Sequence, residues 1–541
     1  MKSNRTVLRI WAATASVALT LVTSQGAMAG PAGAKPAARA EAPGGPPSSY
    51  IVKAPSLAAA RAAVLGVGGR ITHELGIIEA VGADLTPVQL EALRADRALT
   101  LTGNAAAKVA GSTSAPYVVS HTGADRLHAM GITGRGVSIA FVDTGLWATP
   151  LAGYDAITNV AGTTIKDDNG HGTHITSIAA SANVMADGKY LGIAPGAGWV
   201  TVKAFGADGS GTYANTIRGL NWILANKTRY NIRVVNMSFG ATPQSYYWND
   251  PLALAAMKLW QAGIVVVASA GNWGPYAQSI AVPGNVPYVI TVGAMTDNYT
   301  PANAADDRLA SFSSTGPTYE GFVKPEIVAA GGHLTGVMTR TQTIPREHQE
   351  FHNGGNYFTM SGTSQSAAVI SGVVALMLQT QPWLTPDQVK CKLLTSARPA
   401  VDAANKLSYT VFQQGAGQVD AIAAVFNPYI TCGNAGLDIA ADLAGTKHFA
   451  GPARQSPDGS FFVADANGLP VNEQGYLWNN GYLWNQGYIW KQGYLSSNGY
   501  LWKQGYVWKQ GYVWKNSALL NQSFVPSTTS VSGVNHWVDQ E

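Results

Sequence analysis

Between Tyr117 and Phe426, short apolar runs alternate with longer stretches whose apolar residues recur at helical spacing. The runs Val137–Val142, Trp199–Phe205, Val234–Phe239, Ile264–Ala268 and Tyr288–Val292 are nearly continuous, as in strands covered on both faces. Thr212–Lys227 and Pro251–Ala262 read as helices between them, and Val369–Leu378 is an apolar helical stretch further on. This alternation predicts an α/β fold, a mostly parallel sheet with helices on both faces. Ligands of such sheets bind beyond the carboxyl ends of the strands, so the residues just after each strand matter most.

A different pattern precedes it. Tyr50–Val52 is a short strand, Leu57–Val64 is helical, Arg70–Leu85 reads as two strands joined at Gly76, Pro87–Ala95 is helical, and Leu99–Leu101 closes as a strand. The order βαββαβ predicts a small ferredoxin-like α+β module over 49–102, a fold shared by many functions. Ala-, Pro- and Gly-rich residues 30–48 read as a spacer, and 103–115 as a linker to a domain at 116–426. Residues 1–29 combine Lys2, Arg5 and Arg9, an apolar stretch Ile10–Val22, and Ala27-Met28-Ala29. Those are the three parts of a secretory signal peptide. A short membrane anchor is the alternative, but no apolar run approaches the ~20 residues of a span. The expected location is extracellular or periplasmic.

After Phe426 the periodicity weakens over 427–474. A hexamer beginning Gly475-Tyr476-Leu477-Trp478 then recurs from Gly481, Gly487, Gly493, Gly499, Gly505 and Gly511, filling 475–516 ahead of a tail at 517–541. An even period suits strands, because Tyr and Trp then share one face in every copy except that at Gly493, where Ser496 replaces Trp. Stacked aromatics among Asn and Gln can bind sugar faces or a cell envelope, whereas the plainer reading is a self-packed β structure.

Composition narrows the class. Of 541 residues 46% are hydrophobic and 12% charged, about half the usual ~25% charged, which excludes a disordered chain or a coiled coil. A net charge of +4 makes no case for nucleic acid as a partner. Two cysteines, Cys391 and Cys432, exclude a disulfide-built miniprotein. In a secreted chain they form either one disulfide or two buried thiols.

Three segments carry chemistry. The first strand ends in Phe141-Val142-Asp143-Thr144-Gly145, where a carboxylate can face a crevice or simply cap the next element. Asp168-Asn169-Gly170-His171-Gly172-Thr173-His174 follows, with glycines that allow close backbone approach and leave the imidazole open. Two His three apart can also be metal ligands, but the Glu of an HExxH arrangement is missing. Met360-Ser361-Gly362-Thr363-Ser364-Gln365 then leads into the apolar helix. A Ser at a helix mouth is either an N-cap or a nucleophile beside free backbone N–H groups.

Together, Asp143, His171 and Ser364 stand in the order Asp, His, Ser, each in a Gly-containing strand end or helix start. Here the sequence resembles the subtilisin-like serine peptidases, or subtilases. Further segments match in register: Lys203–Gly206 with Gly209-Ser210-Gly211, Asn236–Gly240, Ala270-Gly271-Asn272, Ser311–Pro317 and Lys324–Val328. Gln365-Ser366 and Ala368-Val369 depart from the family pattern after the serine, Ala330 stands where Pro is usual, and Thr176-Ser177 replace a smaller pair.

The resemblance implies a secreted serine endopeptidase that hydrolyses proteins or peptides through an acyl-enzyme on Ser364, with His171 as base, Asp143 as its orienter, and Asn272 as oxyanion donor. It implies a strand-like substrate between Gly209–Gly211 and Ser238-Phe239-Gly240, and an uncharged S1 pocket from Ser238–Gly240 and Ser269-Ala270-Gly271. It makes 49–102 an inhibitory propeptide, with an independent accessory domain as the alternative, and the enzyme a monomeric zymogen. The chemistry requires no metal or cofactor; structural calcium is compatible with the family, but no loop has a readable ligand spacing. A competing class is a catalytically silent envelope- or glycan-binding protein using the aromatic repeats. A sedolisin-like relative would carry a carboxylate at His171.

Overall fold

The computed structural model describes residues 46–75, 79–103, 117–300, 303, 306–402, 406–465, 467–471, 483–484, 488–489, 531–534 and 537–538. The proposed signal peptide, most of both low-complexity linkers and most of the aromatic repeats lie outside the described residues. Within the repeats, Leu483–Trp484 pairs antiparallel with Tyr488–Ile489.

The chain divides into two compact units, Met1–Lys108 and Val109–Glu541. The first follows the order β1 (Ser48–Lys53), α1 (Leu57–Gly66), β2 (Arg70–Leu75), β3 (Ala80–Leu85), α2 (Pro87–Arg94), β4 (Thr100–Gly103). Its antiparallel sheet runs β2-β3-β1-β4, the ferredoxin-like order expected from the sequence. Both helices start where the side chains dictate. Ser56 Oγ accepts from Ala59 N, and Thr86 forms a capping box with Gln89 ahead of Pro87. Val52, Val64, Val81, Leu85, Leu90 and Leu93 fill the small core.

In the second unit, α3 (Tyr117–His121) and α4 (Ala124–Ala129) lead to β5 (Ser138–Asp143), β6 (Ala152–Asp155), β7 (Val160–Gly162), α5 (His171–Ala180) and β8 (Gly198–Lys203). Next come β9 (Ser210–Thr212), α6 (Tyr213–Asn226), β10 (Ile232–Met237), β11 (Phe239–Gly240), α7 (Pro251–Gln261), β12 (Val265–Ser269) and β13 (Ile290–Thr296). Then β14 (Arg308–Leu309), β15 (Ile327–Ala330), β16 (Leu334–Val337), α8 (Thr343–Glu347), β17 (Tyr357–Met360), α9 (Thr363–Thr380) and α10 (Pro386–Ser396) follow. The main sheet runs β14-β13-β12-β10-β5-β8-β6-β7, with β15 also beside β13. Only β14 and β7 are antiparallel to their neighbours. Every residue of β5, β12, β13 and β15 is buried, as in strands covered on both faces.

Helix α9 is buried from Thr363 to Leu378. It starts six residues before the apolar stretch Val369–Leu378 read from the sequence, because the helix begins immediately after Gly362. A helix buried on every side belongs in the centre of a large core, and the apolar residues of α9 pack there with those of the main sheet. Cys391 of α10 is joined to Cys432 in a disulfide with Cα atoms 5.1 Å apart, which settles the cysteine alternatives.

The core also holds charge. Lys324, Glu326 and Lys390 have no solvent exposure. Glu326 Oε1 pairs with both ammonium groups, 2.8 Å from Lys390, while its Oε2 accepts from Thr291 N at 2.8 Å. Lys390 also donates to the carbonyls of Pro287, Tyr288 and Val289. Burial pushes Lys324 down to about 7 against the pull of Glu326. Replacing Glu326 by Ala would leave two buried ammonium groups without a counter-charge. The expected loss is about 3–5 kcal/mol of stability, read as a lowered denaturant midpoint in chemical unfolding.

Candidate active site

The site lies where β5, α5, β10–β11 and α9 meet. Asp143 is the last residue of β5, and His171 opens α5. Two glycines let these ends touch. A Cβ on Gly172 would lie 2.3 Å from the Gly145 carbonyl oxygen and 3.2 Å from Asp143 Cβ. Gly170, at φ +112°, turns the chain into the helix. The result is a hydrogen bond from His171 Nδ1 to Asp143 Oδ1 at 2.7 Å. That bond puts the remaining lone pair of a neutral ring on Nε2, which is buried without a hydrogen-bond partner.

Asp167, which the sequence reading passed over, organises this corner. Its carboxylate accepts from Thr144 Oγ1, Asn169 N, Gly170 N, Thr173 N and Thr173 Oγ1, all within 3.1 Å. It thereby caps the first turn of α5 and ties it to the residue after Asp143. Lys203 adds a second tie, donating to the carbonyls of Thr144 and Lys166 at 2.8 Å. The Asp167-Asp168 pair just ahead of a helix start was the available signal.

Ser364 is the second residue of α9, within the positive end of that helix. Its Oγ donates to the Ser238 carbonyl at 2.9 Å, and Ser238 Oγ donates back to the Ser364 carbonyl at 3.0 Å. Asn236 Nδ2 holds Ser238 Oγ at 2.8 Å, and Ser371 of α9 holds Asn236 Oδ1 at 2.9 Å. Ser238 thus braces the helix that bears Ser364 with its side chain. The Ser364–His171 hydrogen bond is not formed in this state, since Nε2 is unpartnered; such bonds are often loose before substrate binds.

Asn272 faces the same helix start. Its Oδ1 accepts from Thr363 N at 3.0 Å and Thr363 Oγ1 at 2.9 Å. A backbone N–H can only donate, so the amide is oriented with Nδ2 inward, buried and unpartnered. A Cβ on Gly362 would lie 3.3 Å from that Nδ2, so glycine keeps the space open.

The two segments expected to line S1 lie side by side, with Ser269 Oγ donating to the Phe239 carbonyl at 3.2 Å. Trp273, not singled out in the sequence, stands beside both. Its ring is 3.6 Å from a Cβ built on Gly240 and 3.0 Å from one on Gly271. Gly209 carries a positive φ just before β9, and Ser210 and Gly211 lie within that strand, away from the main sheet.

A family model for the subtilases matches residues 134–417. The chain belongs to the subtilase family. Among curated proteins, serine protease AprX of Bacillus subtilis (strain 168) is 42% identical over 273 residues, 48% of this chain and 60% of that protein. A thermostable alkaline protease of Halalkalibacterium halodurans is 30% identical over 331 residues, 60% of this chain and 80% of that protein. Subtilisin E of Bacillus subtilis is 29% identical over 336 residues, 61% of this chain and 78% of its own length. The family and these relatives place the subtilase domain among the serine endopeptidases.

One expectation needs amendment. His171 was expected to be open, yet both it and Ser364 have 0% exposure. The second His of the motif turns away from the site. His174 Nε2 donates to the Phe358 carbonyl at 3.0 Å, and Gln365 Nε2 donates to His174 Nδ1 at 3.4 Å. Gln365, a departure from the family pattern, is thus accommodated as a brace between α5 and α9. Among the described residues no cluster of three metal-ligating side chains occurs.

Burial pushes His174 from 6.5 down to about 3, so the folded ring stays neutral where the unfolded one takes up a proton. Its contribution to stability is complete above pH 6.5 and is lost progressively as pH falls from 6.5 towards 3. His174→Gln should therefore lose less stability than the parent between about pH 8 and about pH 5, measured by denaturant unfolding at both values. A separate expectation concerns Asn272→Ala. One lost oxyanion donor lowers turnover about 10²–10³-fold, a figure taken from a subtilisin, with KM little changed in steady-state peptide hydrolysis.

Proposed function

We propose that this protein is a secreted serine endopeptidase, made as a zymogen, that hydrolyses protein or peptide substrates through an acyl-enzyme on Ser364. The observation that carries this reading is the convergence of an unpartnered His171 Nε2, held by Asp143, and an unpartnered Asn272 Nδ2 on the start of the helix that bears Ser364. Buried polar atoms without partners are costly, and here both point to a ligand that supplies them.

In the proposed reaction Ser364 Oγ leaves the Ser238 carbonyl and gives its proton to His171 Nε2 as it attacks the scissile carbonyl carbon. Asp143 holds the tautomer and stabilises the imidazolium. The Asn272 amide and the Ser364 N–H receive the oxyanion. His171 then protonates the leaving amine, and water, deprotonated by the same ring, releases the acyl group. Substrate backbone adds as a strand between β9 and β11. The uncharged walls from Ser238–Gly240 and Ser269–Gly271, with the Trp273 ring beside them, favour a large apolar or aromatic P1 side chain.

Residues 49–102 would serve as the inhibitory, fold-assisting propeptide, supported by their ferredoxin-like sheet and by their place ahead of a parallel sheet that forms slowly. Removal would fall within 103–115. Residues 1–29 would direct export. A role of the repeats in envelope or polysaccharide attachment rests on their composition alone.

If Ser364 performs its own maturation, Ser364→Ala accumulates as a precursor lacking only residues 1–29, and a fluorophosphonate labels the parent but not the variant. Normal removal of residues 30–115 in a pure Ser364→Ala preparation would assign processing to another protease. Absence of labelling in the parent would overturn the enzyme reading.

A further inference from the structure

Strands β9 and β11 do not pair with each other. Between them lies a strand from the far end of the chain, Val531–Val534, antiparallel to both. On one side Val531, Ser532 and Gly533 stand opposite Thr212, Gly211 and Ser210. On the other, Gly533 and Val534 stand opposite Gly240 and Phe239. These are the same two walls between which a substrate strand is proposed to add.

The segment is anchored further on. Trp537 stacks flat on His348, with ring centroids 3.6 Å apart and an interplanar angle of 8°, and its ring also meets Phe351 at 5.3 Å. Val538 is only 9% exposed and packs with Ala294, Ala310 and Phe312. Meanwhile His171 and Ser364, which a protein substrate has to reach, are sealed from solvent. A strand within the cleft, two apolar anchors and a sealed catalytic pair describe an occupied site.

We infer that the strand Val531–Val534, held by Trp537 and Val538, forms an intramolecular, substrate-like inhibitor of the enzyme's own cleft. The inference rests on the peptidase reading and adds to it a ligand carried by the same chain. Antiparallel pairing on both edges uses main-chain groups, so any extended segment of suitable length competes for the same walls. A segment carried by the same chain does so intramolecularly, without loss to dilution.

The test compares three mature active enzymes: the full chain, the full chain with Gly533→Pro, and a chain ending at Thr529. Proline at 533 removes an N–H from the middle of a strand flanked on both sides, and leaves the rest of the protein intact. An occluded cleft lowers apparent substrate affinity by its free fraction. For a segment bound about nine-tenths of the time, both variants should show KM about tenfold lower than the full chain, with kcat unchanged, on a peptide p-nitroanilide. A synthetic peptide spanning Thr528–Glu541, added to the truncated enzyme, should inhibit competitively. Equal KM values in all three proteins, or no inhibition by the peptide, would overturn the inference while leaving the peptidase reading intact. Failure of all three to hydrolyse peptide or react with a fluorophosphonate would remove the peptidase reading, and the inference with it.

Discussion

Everything at the site hangs on the burial of one helix. From Thr363 to Leu378, α9 has no exposed face, and it lies in the middle of the core against the main sheet. That fixes where its first turn emerges: beside the carboxyl ends of β5, β10 and β12, where Asp143, Ser238 and Ala270–Asn272 also arrive. Ser364 therefore needs no loop to position it. Its location follows from apolar burial, its polarity from the end of the helix, and its neighbours from the parallel order of the strands.

The remaining corner is held by hydrogen bonds rather than by apolar area. Asp167 gathers five donors, Lys203 clamps two carbonyls, and Gly172 lets the backbone close to contact distance. Most of these ties act on backbone groups, and together they hold the end of β5 against the start of α5, where Asp143 meets His171. The low charge content of the chain has a counterpart here: some of its few charges, Lys203, Lys324, Lys390 and Glu326, sit inside as polar struts.

Much of this was legible beforehand, and the reason is local. Strands buried on both faces leave continuous apolar runs, and the glycines beside Asp143, His171 and Ser364 mark places where the backbone must come close. Asp167 and Trp273 were harder to read, because an acidic pair before a helix and a lone tryptophan after an asparagine have many ordinary readings. His171 was misjudged as open because its exposure depends on the rest of the folded chain, not on the glycines beside it. The strand at 531–534 was invisible for a related reason. It is four residues long, it pairs with segments about three hundred residues away, and a register set by main-chain groups leaves no side-chain signature.

The double-edged pairing of that strand has a further consequence. A segment held along only one edge can peel away by degrees, exposing a cleft a little at a time. One held along both edges, by Val531–Gly533 on β9 and Gly533–Val534 on β11, joins the two ladders at Gly533, so withdrawal past that residue sacrifices bonds on both sides at once while the anchors at Trp537 and Val538 still hold. Opening is then close to binary. Catalytic output in a population of such molecules is set by how many are open, not by how far each has opened. A graded external signal would be read out as a change in the count of working enzymes.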